Sequence, residues 1–287
     1  MLELAESLTH CFLRKFVPAH RFLRIQTHTI GRQHVHQTQL DSVAIKVLNW
    51  NIAKQNHHPR WLRDFHTILH RYQPDLIFLQ EVRLGLDADH AVDLADMSWN
   101  YAPNFIDAHH QAYSGVLTAA KTNASHSRAI VTEHYEPIVQ TPKVSLVTAY
   151  PLAHHSETLL AINSHLINFV NLATFHTQLQ DLELTLSTHQ GPIIFAGDFN
   201  IWSAARSQLL EQAAARLGLR PVTFTPEDHR HIKRFLCSPP LDYILYKGLV
   251  EHPMQAQVLD QITSSDHKPM LAEFAVGKRQ ERGNEAP

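Results

Sequence analysis

Apolar runs that end abruptly in polar side chains recur along this chain. The run over residues 193–195 predicts a strand covered on both faces, and it ends in Asp198 and Asn200. Because alternate residues of an extended chain share a face, these two side chains can point at one substrate atom or water. An ordinary strand-end turn would also favour Asp and Asn. Further runs that end at Asn51 and Glu81 favour a functional interpretation.

Other segments follow the periods of helices or strands. Apolar residues at helical spacing predict amphipathic helices at 59–72, 169–187 and 203–217, the last capped by Ser203 and ended by Gly218. Enrichment in β-branched residues predicts strands at 43–52, 75–83, 115–120, 144–150, 157–163, 241–245 and 270–275. The alternation of strands and helices indicates an α/β fold.

Length and charge narrow the classes of protein. The 287 residues include no interior linker, which favours one large domain, and the net charge of -2 leaves no footprint for sequence-blind binding to nucleic acid. The most basic local cluster lies in a predicted long loop over 219–240 and can still contact an anionic substrate. Two distant cysteines, Cys11 and Cys237, indicate a reducing, cytoplasmic compartment.

The ends of the chain differ from its centre. Residues 1–42 form an N-terminal extension, residues 43–276 the predicted domain, and residues 277–287 a polar tail. No stretch reaches the roughly 18 uninterrupted apolar residues of a membrane span. A short amphipathic helix near the N-terminus either packs on the domain, which we favour, or makes peripheral membrane contact through residues 1–30.

The polar groups at strand ends have a shared chemistry. A set of carboxylates, amides and two histidines is what metal-assisted hydrolysis of a phosphoester requires. A hard oxygen ligand such as Glu81 suits Mg²⁺, with Mn²⁺ as an alternative, and an Asp paired with a His supplies a general base. The candidate residues are Asn51, Glu81, His165, Asp198, Asn200, Asp242, Asp266 and His267.

Six short motifs occur in an order that resembles one known family. That family is the endonuclease/exonuclease/phosphatase superfamily, which includes deoxyribonuclease I, apurinic endonucleases, inositol polyphosphate 5-phosphatases and neutral sphingomyelinases. Each motif is weak alone, but six in order over residues 43–276 are strong. The motifs are W-N-I at 50–52, L-Q-E-V-R at 79–83, S-H-L at 164–166, G-D-F-N at 197–200, L-D-Y at 241–243 and S-D-H at 265–267.

The resemblance implies a fold and a role for each residue. The fold is a four-layer α/β sandwich, with two mostly antiparallel sheets face to face and helices outside. Glu81 is implied as the main Mg²⁺ ligand, with Asn51 and Asp266 near the metal or phosphate. The other implied roles are that Asp242 orients His267, that Asp198 and Asn200 align the water and phosphate, and that His165 acts on the leaving side. The motifs leave open whether His267 or Asp198 is the base.

Several functions share this scaffold. The leading hypothesis is a Mg²⁺-dependent phosphodiesterase or phosphatase, with nucleic acid slightly ahead of phospholipid or a small phosphoester as the substrate. Asn51 and His165 resemble the deoxyribonuclease and sphingomyelinase branches. A non-catalytic binding module is the alternative from another class, since a fold alone does not fix a function. The presence of Glu81, Asp198 and His267 favours catalysis.

Overall fold

Two β-sheets lie face to face at the centre of the protein. The computed structural model describes residues 17–87, 92–94, 96–137, 139–252 and 255–277. The predicted N-terminal helix, Cys11 and the polar tail from residue 278 onward lie outside the described residues. Side chains from both sheets, such as Val47 and Ile194, meet in one buried cluster between them.

The first sheet contains nine strands among the described residues, in the order β1-β5-β6-β4-β3-β15-β13, with β14 on β15 and β2 on β5. Its only parallel pairing in this part of the chain is between β3 and β4. The strands are β1 (Phe22–Leu23), β2 (Ile30–Arg32), β3 (Ile45–Asn51), β4 (Leu76–Gly85), β5 (Ser98–Asp107), β6 (Ala112–Ala120), β13 (Leu249–Glu251), β14 (Gln257–Val258) and β15 (Met270–Val276).

The second sheet contains six strands in the described segments, in the order β11-β12-β10-β9-β8-β7. The predicted hairpin is confirmed as the antiparallel pair of β8 and β9, whereas β9 and β10 run parallel. The strands are β7 (His126–Val131), β8 (Val144–Pro151), β9 (Thr158–His165), β10 (Ile193–Asp198), β11 (Arg220–Pro221) and β12 (Asp242–Lys247).

Helices cover the outer face of each sheet. The five described helices are α1 (Pro18–Arg21), α2 (Pro59–Tyr72), α3 (Leu172–Ser187), α4 (Ala204–Leu217) and α5 (Pro226–His231). Helix α2 packs on the first sheet, and α3 and α4 pack on the second. The four-layer α/β sandwich is therefore confirmed. Strand β3 is buried on both faces, because Val47 faces the other sheet while Leu48 faces α2.

Local capping chemistry sets the helix ends. The Ser203 hydroxyl accepts from the amide of Arg206, and Gly218 ends α4 in the left-handed conformation, as predicted. Helix α3 begins later than the predicted residue 169, because the Asn171 side chain caps it by accepting from Thr174. The predicted loop over 219–240 contains β11 and α5, so it is less irregular than expected.

The described part of the N-terminal extension belongs to the first sheet. Strands β1 and β2 both pair with β5, and Leu40 is buried between the sheets. The Arg21 guanidinium donates to both oxygens of Asp107, at 3.3 and 3.1 Å. The predicted boundary at residue 43 therefore does not coincide with the edge of the sheet, because pairing on β5 begins at Phe22. The division into an N-terminal extension at 1–42 and a domain at 43–276 stays a prediction.

None of the described helices combines the length and the apolar character needed to cross a membrane.

The contact between Arg21 and Asp107 generates a test of how the extension is held. Burial alone would raise the pKa of Asp107, but the hydrogen bonds from Arg21 and His110 lower it to about 2. The stabilisation is therefore present above the unfolded pKa and is lost as the pH falls toward 2. We expect Asp107→Asn to cost about 1–3 kcal/mol of stability and to speed tryptic cleavage at Arg21 or Arg24.

Limited proteolysis with mass spectrometry checks this expectation, together with thermal unfolding between pH 3 and pH 7. Asp93→Asn is the matched control, because Asp93 is exposed. Equal cleavage rates in the two variants would show that β-pairing alone holds the extension.

Candidate active site

Strand pairing gathers the polar strand ends at one edge of the sandwich. In the parallel pair, Asp198 of β10 lies beside His165 of β9. In the antiparallel pair, the same Asp198 lies beside Asp242 of β12. Gly197 permits this approach, because a Cβ at its positive φ of 149° would collide with the Ser164 carbonyl.

Glu81 reaches the site through a β-bulge. The pairing of β4 with β6 shifts between Leu79 and Val82, and Glu81 adopts a left-handed φ of 55°. Its carboxylate accepts from the Asn51 amide at 3.4 Å and pairs with Lys54 at 3.3 Å. Burial by itself raises the pKa of Glu81, but Lys54, His165, Lys143 and the Asn51 hydrogen bond together lower it. Glu81 is therefore ionised at neutral pH.

Asp198 is the hub of the site. Its Oδ1 accepts from the backbone amide of Asn200 at 3.0 Å, and its Oδ2 accepts from Asn51 Nδ2 at 2.9 Å. The same Oδ2 lies 3.6 Å from His165 Nε2 and 3.8 Å from His267 Nε2. Asp198 is 3% exposed, so these groups replace most of its hydration.

Asp242 and His267 form a buried pair. The Nδ1 of His267 donates to Asp242 Oδ2 at 2.8 Å, which leaves Nε2 facing Asp198. Burial lowers the pKa of His267, but the charge and hydrogen bond of Asp242, with Asp198 and Asp266, raise it to about 10. The imidazole is therefore a cation at neutral pH, whereas the general base expected from the sequence would be neutral.

His165 has the opposite electrostatic environment. Burial and the charge of Lys143 lower its pKa to about 4, so the ring is neutral. Lys143 Nζ lies 3.2 Å from His165 Nε2, and an ammonium can only donate, so Nε2 accepts and Nδ1 holds the proton. Lys143 in turn pairs with Glu136 at 3.4 Å. The cation on this side of the site is therefore Lys143.

Asn200 is held by the backbone around it. Its Nδ2 donates to the Leu166 carbonyl at 2.8 Å, and the residue adopts a left-handed φ of 51°. The buried guanidinium of Arg206 donates to the carbonyls of Asn200 and Ile167, at 3.0 and 2.9 Å. Asn200 thereby fixes Asp198 through its amide hydrogen bond.

Asp266 stands apart from the other predicted residues. Its side chain is 60% exposed and pairs with Lys233 at 2.9 Å. Burial and the charge of Glu81 raise the pKa of Asp266. The hydrogen bond from Lys233 and the charges of His267 and Lys233 lower it by more, so the pKa lies below its usual value. The ion pair with Lys233 therefore turns the side chain of Asp266 toward the basic cluster at 229–234, outside the cleft.

The donor set fits a hard divalent cation at Glu81. Mg²⁺ keeps several waters and is bound through one or two carboxylates, and Glu81 is a 27% exposed carboxylate held by the Asn51 amide. A second group, Asp198, Asp242 and His267, has ligand atoms within 4.8 Å of one another. Its His267 Nδ1 is already hydrogen-bonded to Asp242, so this second group is better suited to proton chemistry.

A cleft of about 320 Å³ opens over these residues. It contains five predicted residues, namely Glu81, His165, Asp198, Asn200 and His267, and sequence reasoning missed two cations that also line it, Lys54 and Lys143. Asn51, Asp242 and Asp266 are not among the residues that line the cleft. Asn51 and Asp242 instead hydrogen-bond to two residues that do, Asp198 and His267. Lys54 follows the W-N-I motif by two residues, so its position next to a motif could have indicated it as a site residue. Lys143 lies in none of the motifs.

Comparison with known proteins relates the chain to bacterial relatives and to solved structures. The chain is 35% identical over 235 residues to the UPF0294 protein of Erwinia tasmaniensis, with 81% of each chain covered. The UPF0294 protein VP2298 of Vibrio parahaemolyticus is 35% identical over 237 residues, covering 82% of this chain and 79% of that protein.

The solved structures show the same fold. The human Nocturnin catalytic domain with bound sulfate is 18% identical, with a TM-score of 0.59 over 88% of this chain and 98% of that chain. D. rerio TDP2 complexed with single strand DNA product is 16% identical, with a TM-score of 0.56 over 80% and 98%. The profile of the Endonuclease/Exonuclease/phosphatase family matches residues 48–267. The chain therefore belongs to the endonuclease/exonuclease/phosphatase family.

Proposed function

We propose that this protein is a divalent-metal-dependent phosphodiesterase with Mg²⁺ as its cation and Mn²⁺ as a substitute. Members of the family are hydrolases that act on phosphoester bonds. The observation that carries the proposal is the continuous run of contacts from Glu81 through Asn51, Asp198 and His267 to Asp242. A binding module has no need for a buried Asp–His pair beside an ionised carboxylate.

Glu81 would hold the cation. The family resemblance implies Asn51 and Asp266 near it, but Asp266 pairs with Lys233 outside the cleft and would have to turn toward Glu81. When bound, the cation supplies positive charge against the phosphate and the developing oxyanion. Asn51 donates its amide hydrogens to Glu81 and Asp198, so it fixes the two carboxylates relative to each other. Lys54 forms an ion pair with Glu81, so it adds a second positive charge next to the carboxylate that would hold the cation.

The pair of Asp198 and His267 would take the proton of the attacking water. Because the pKa of His267 is raised, Asp198 would be the acceptor while the ring is a cation, and Nε2 would accept only when the ring is neutral. Their side chains lie 3.8 Å apart, and groups that interact this closely titrate as a pair. Asp242 accepts from Nδ1 and holds the ring, so that Nε2 faces the carboxylate of Asp198. Asn200 anchors Asp198 from its other oxygen.

The leaving side would be served by Lys143 and His165. His165 is neutral, and its Nε2 accepts a hydrogen bond from Lys143, so the positive charge on this side lies on the Lys143 ammonium. Lys143 can stabilise a leaving oxygen, and His165 holds the ammonium beside Asp198. This arrangement keeps His165 on the leaving side but moves the acid role toward Lys143.

Nucleic acid or a nucleotide is the proposed substrate class, ahead of a phospholipid or a small phosphoester. The D. rerio TDP2 structure contains single strand DNA product, and the Nocturnin domain contains sulfate, an anion with the tetrahedral shape of phosphate. The cleft over the site has cations and aromatic side chains, as nucleotide recognition requires.

The metal assignment gives the first test of this proposal. We expect Glu81→Gln to lower the turnover of bis(p-nitrophenyl) phosphate by about 10²-fold or more, because one of few charges that hold a hydrated ion is removed. Calorimetry should show weaker Mn²⁺ binding, and thermal unfolding should show a folded chain. Exposed Glu227→Gln is the control. Undiminished turnover with a chelator, or in Glu81→Gln, would exclude the assignment.

The Asp242–His267 pair gives the second test. His267→Ala should lower kcat by roughly 10² to 10⁴-fold, with a small change in KM, because it removes a proton-transfer group. Asp242→Asn should also lower kcat, since the amide cannot compensate the imidazolium. The double variant should be only slightly worse than the poorer single variant, because the two residues act as one unit.

Steady-state kinetics of the three variants check this, with exposed His154→Ala as the control. Fully multiplicative losses would show independent roles and would leave Asp198 as the base. Single variants at the wild-type rate would refute the pair.

A further inference from the structure

A second β-bulge faces the cleft from the strand β5. Strand β6 lies between β4 and β5, and the bulge in β4 presents Glu81. In β5 the pairing with β6 shifts between Pro103 and Phe105, so Asn104 is the extra residue. Bulges re-aim side chains and occur beside active sites. Asn104 lines the same cleft as Glu81, so the two bulges present polar groups to it from both sides of β6.

The side chain of Asn104 has an unused acceptor. Asn104 is 6% exposed, and its Nδ2 donates to the Pro142 carbonyl at 2.7 Å. A carbonyl only accepts, so the amide nitrogen must face Pro142 and the oxygen must face the other way. Among the described residues, none donates to this buried Oδ1. A buried acceptor without a donor is unfavourable, so a ligand N–H in this position would be stabilised.

Aromatic rings lie in the same part of the cleft. Phe105 follows Asn104, and Phe22 of the N-terminal extension packs edge-on against it with ring centroids 5.0 Å apart. Both rings line the cleft. Phe22 is held there by the pairing of β1 with β5 and by the neighbouring contact between Arg21 and Asp107. A flat, apolar ring of a ligand would gain stacking and burial here.

Charge and size limit what can bind. Lys54 is paired with Glu81 and Lys143 with Glu136, so these two cleft lysines give no surplus of positive charge for many phosphates. Duplex DNA is bound chiefly through many phosphate contacts. A cleft of about 320 Å³ suits one phosphate and one attached ring.

We propose that Phe22, Phe105 and Asn104 form a subsite for a planar ring with an amino group, attached to the phosphoester that the floor of the cleft binds. The ring packs against Phe22, and its N–H donates to Asn104 Oδ1. This chemistry belongs to a nucleotide or to the end of a single strand. The subsite rests on the proposed function for the position of the phosphate and extends it to the group that is recognised.

Binding of three phosphate monoesters tests the subsite without turnover. The probes are AMP, purine riboside 5′-monophosphate, which lacks the amino group, and ribose 5-phosphate, which lacks the ring. Isothermal titration calorimetry of the full chain with Mg²⁺ gives each Kd, and an assay of phosphate release detects any hydrolysis. We expect AMP to bind about tenfold more tightly than ribose 5-phosphate, the size expected for one aromatic stacking contact.

Variants assign the preference to the named residues. Phe22→Ala should bring the ratio of AMP to ribose 5-phosphate affinity close to one, and Phe22→Leu should reduce it partly. Asn104→Ala should remove the preference for AMP over the analogue without the amino group, about threefold to tenfold for one hydrogen bond. Leu23→Ala is the matched control, because Leu23 lies next in the strand and points to the other face.

Three outcomes overturn the subsite: equal affinities of AMP and ribose 5-phosphate, no binding of either, or an unchanged ratio in a folded Phe22→Ala. If a single-stranded tetranucleotide competes better than AMP, the ring that binds belongs to the end of a strand. If it competes less well, the ring belongs to a free nucleotide. If the wild-type protein does not hydrolyse diesters but still prefers AMP to ribose 5-phosphate, the proposed function is refuted and the subsite is supported.

Discussion

The hydrogen bond from Asn51 to Asp198 joins the two sheets at the candidate active site. Asn51 ends β3 of the first sheet, and Asp198 ends β10 of the second. Both side chains are at least nine-tenths buried, so an unpaired carboxylate there would be costly. The hydrogen bond sets the distance between the carboxylate on the bulge and the carboxylate beside the histidines. The remaining geometry of the site follows from that distance.

A buried polar network behind the site supports this arrangement. Asn163 donates to the carbonyls of Leu79 and Leu117, the last pair before the bulge in β4. Gln80 donates to Asn163 and to Asn49, so both sheets and the bulge share one network. The donors named here are all paired, whereas Gln80 Oε1 is buried without a partner among the described residues. Paired buried donors restrict the core to one arrangement. This network supports the register in which Asn51 pairs with Gln80, the residue before Glu81.

Strand ends were predictable from the sequence because burial on both faces leaves an uninterrupted apolar run. That signal located Asn51, Glu81, His165 and Asp198, and the motifs gave the order. Strand β5 was missed, because Pro103 and polar residues interrupt it and its burial comes from neighbours distant in sequence. The same reason hid Asn104 and the cation Lys143. Contacts between distant segments decide their environment, and a single sequence has no period that reports such contacts.

Backbone strain at the site is balanced by the surrounding donors. Glu81 and Asn200 both adopt left-handed φ values. This conformation costs about 1–2 kcal/mol for most residues and less for Asn, whose side chain can form local hydrogen bonds. The carbonyl of Glu81 accepts from the amide of Lys54, and that of Asn200 accepts from Trp202 and Arg206. Each strained residue therefore has its carbonyl anchored by a nearby group. At these two positions the side chains leave the regular direction of their strands and turn toward the cleft, whereas residues such as Gln73 and His154 have positive φ values away from the site.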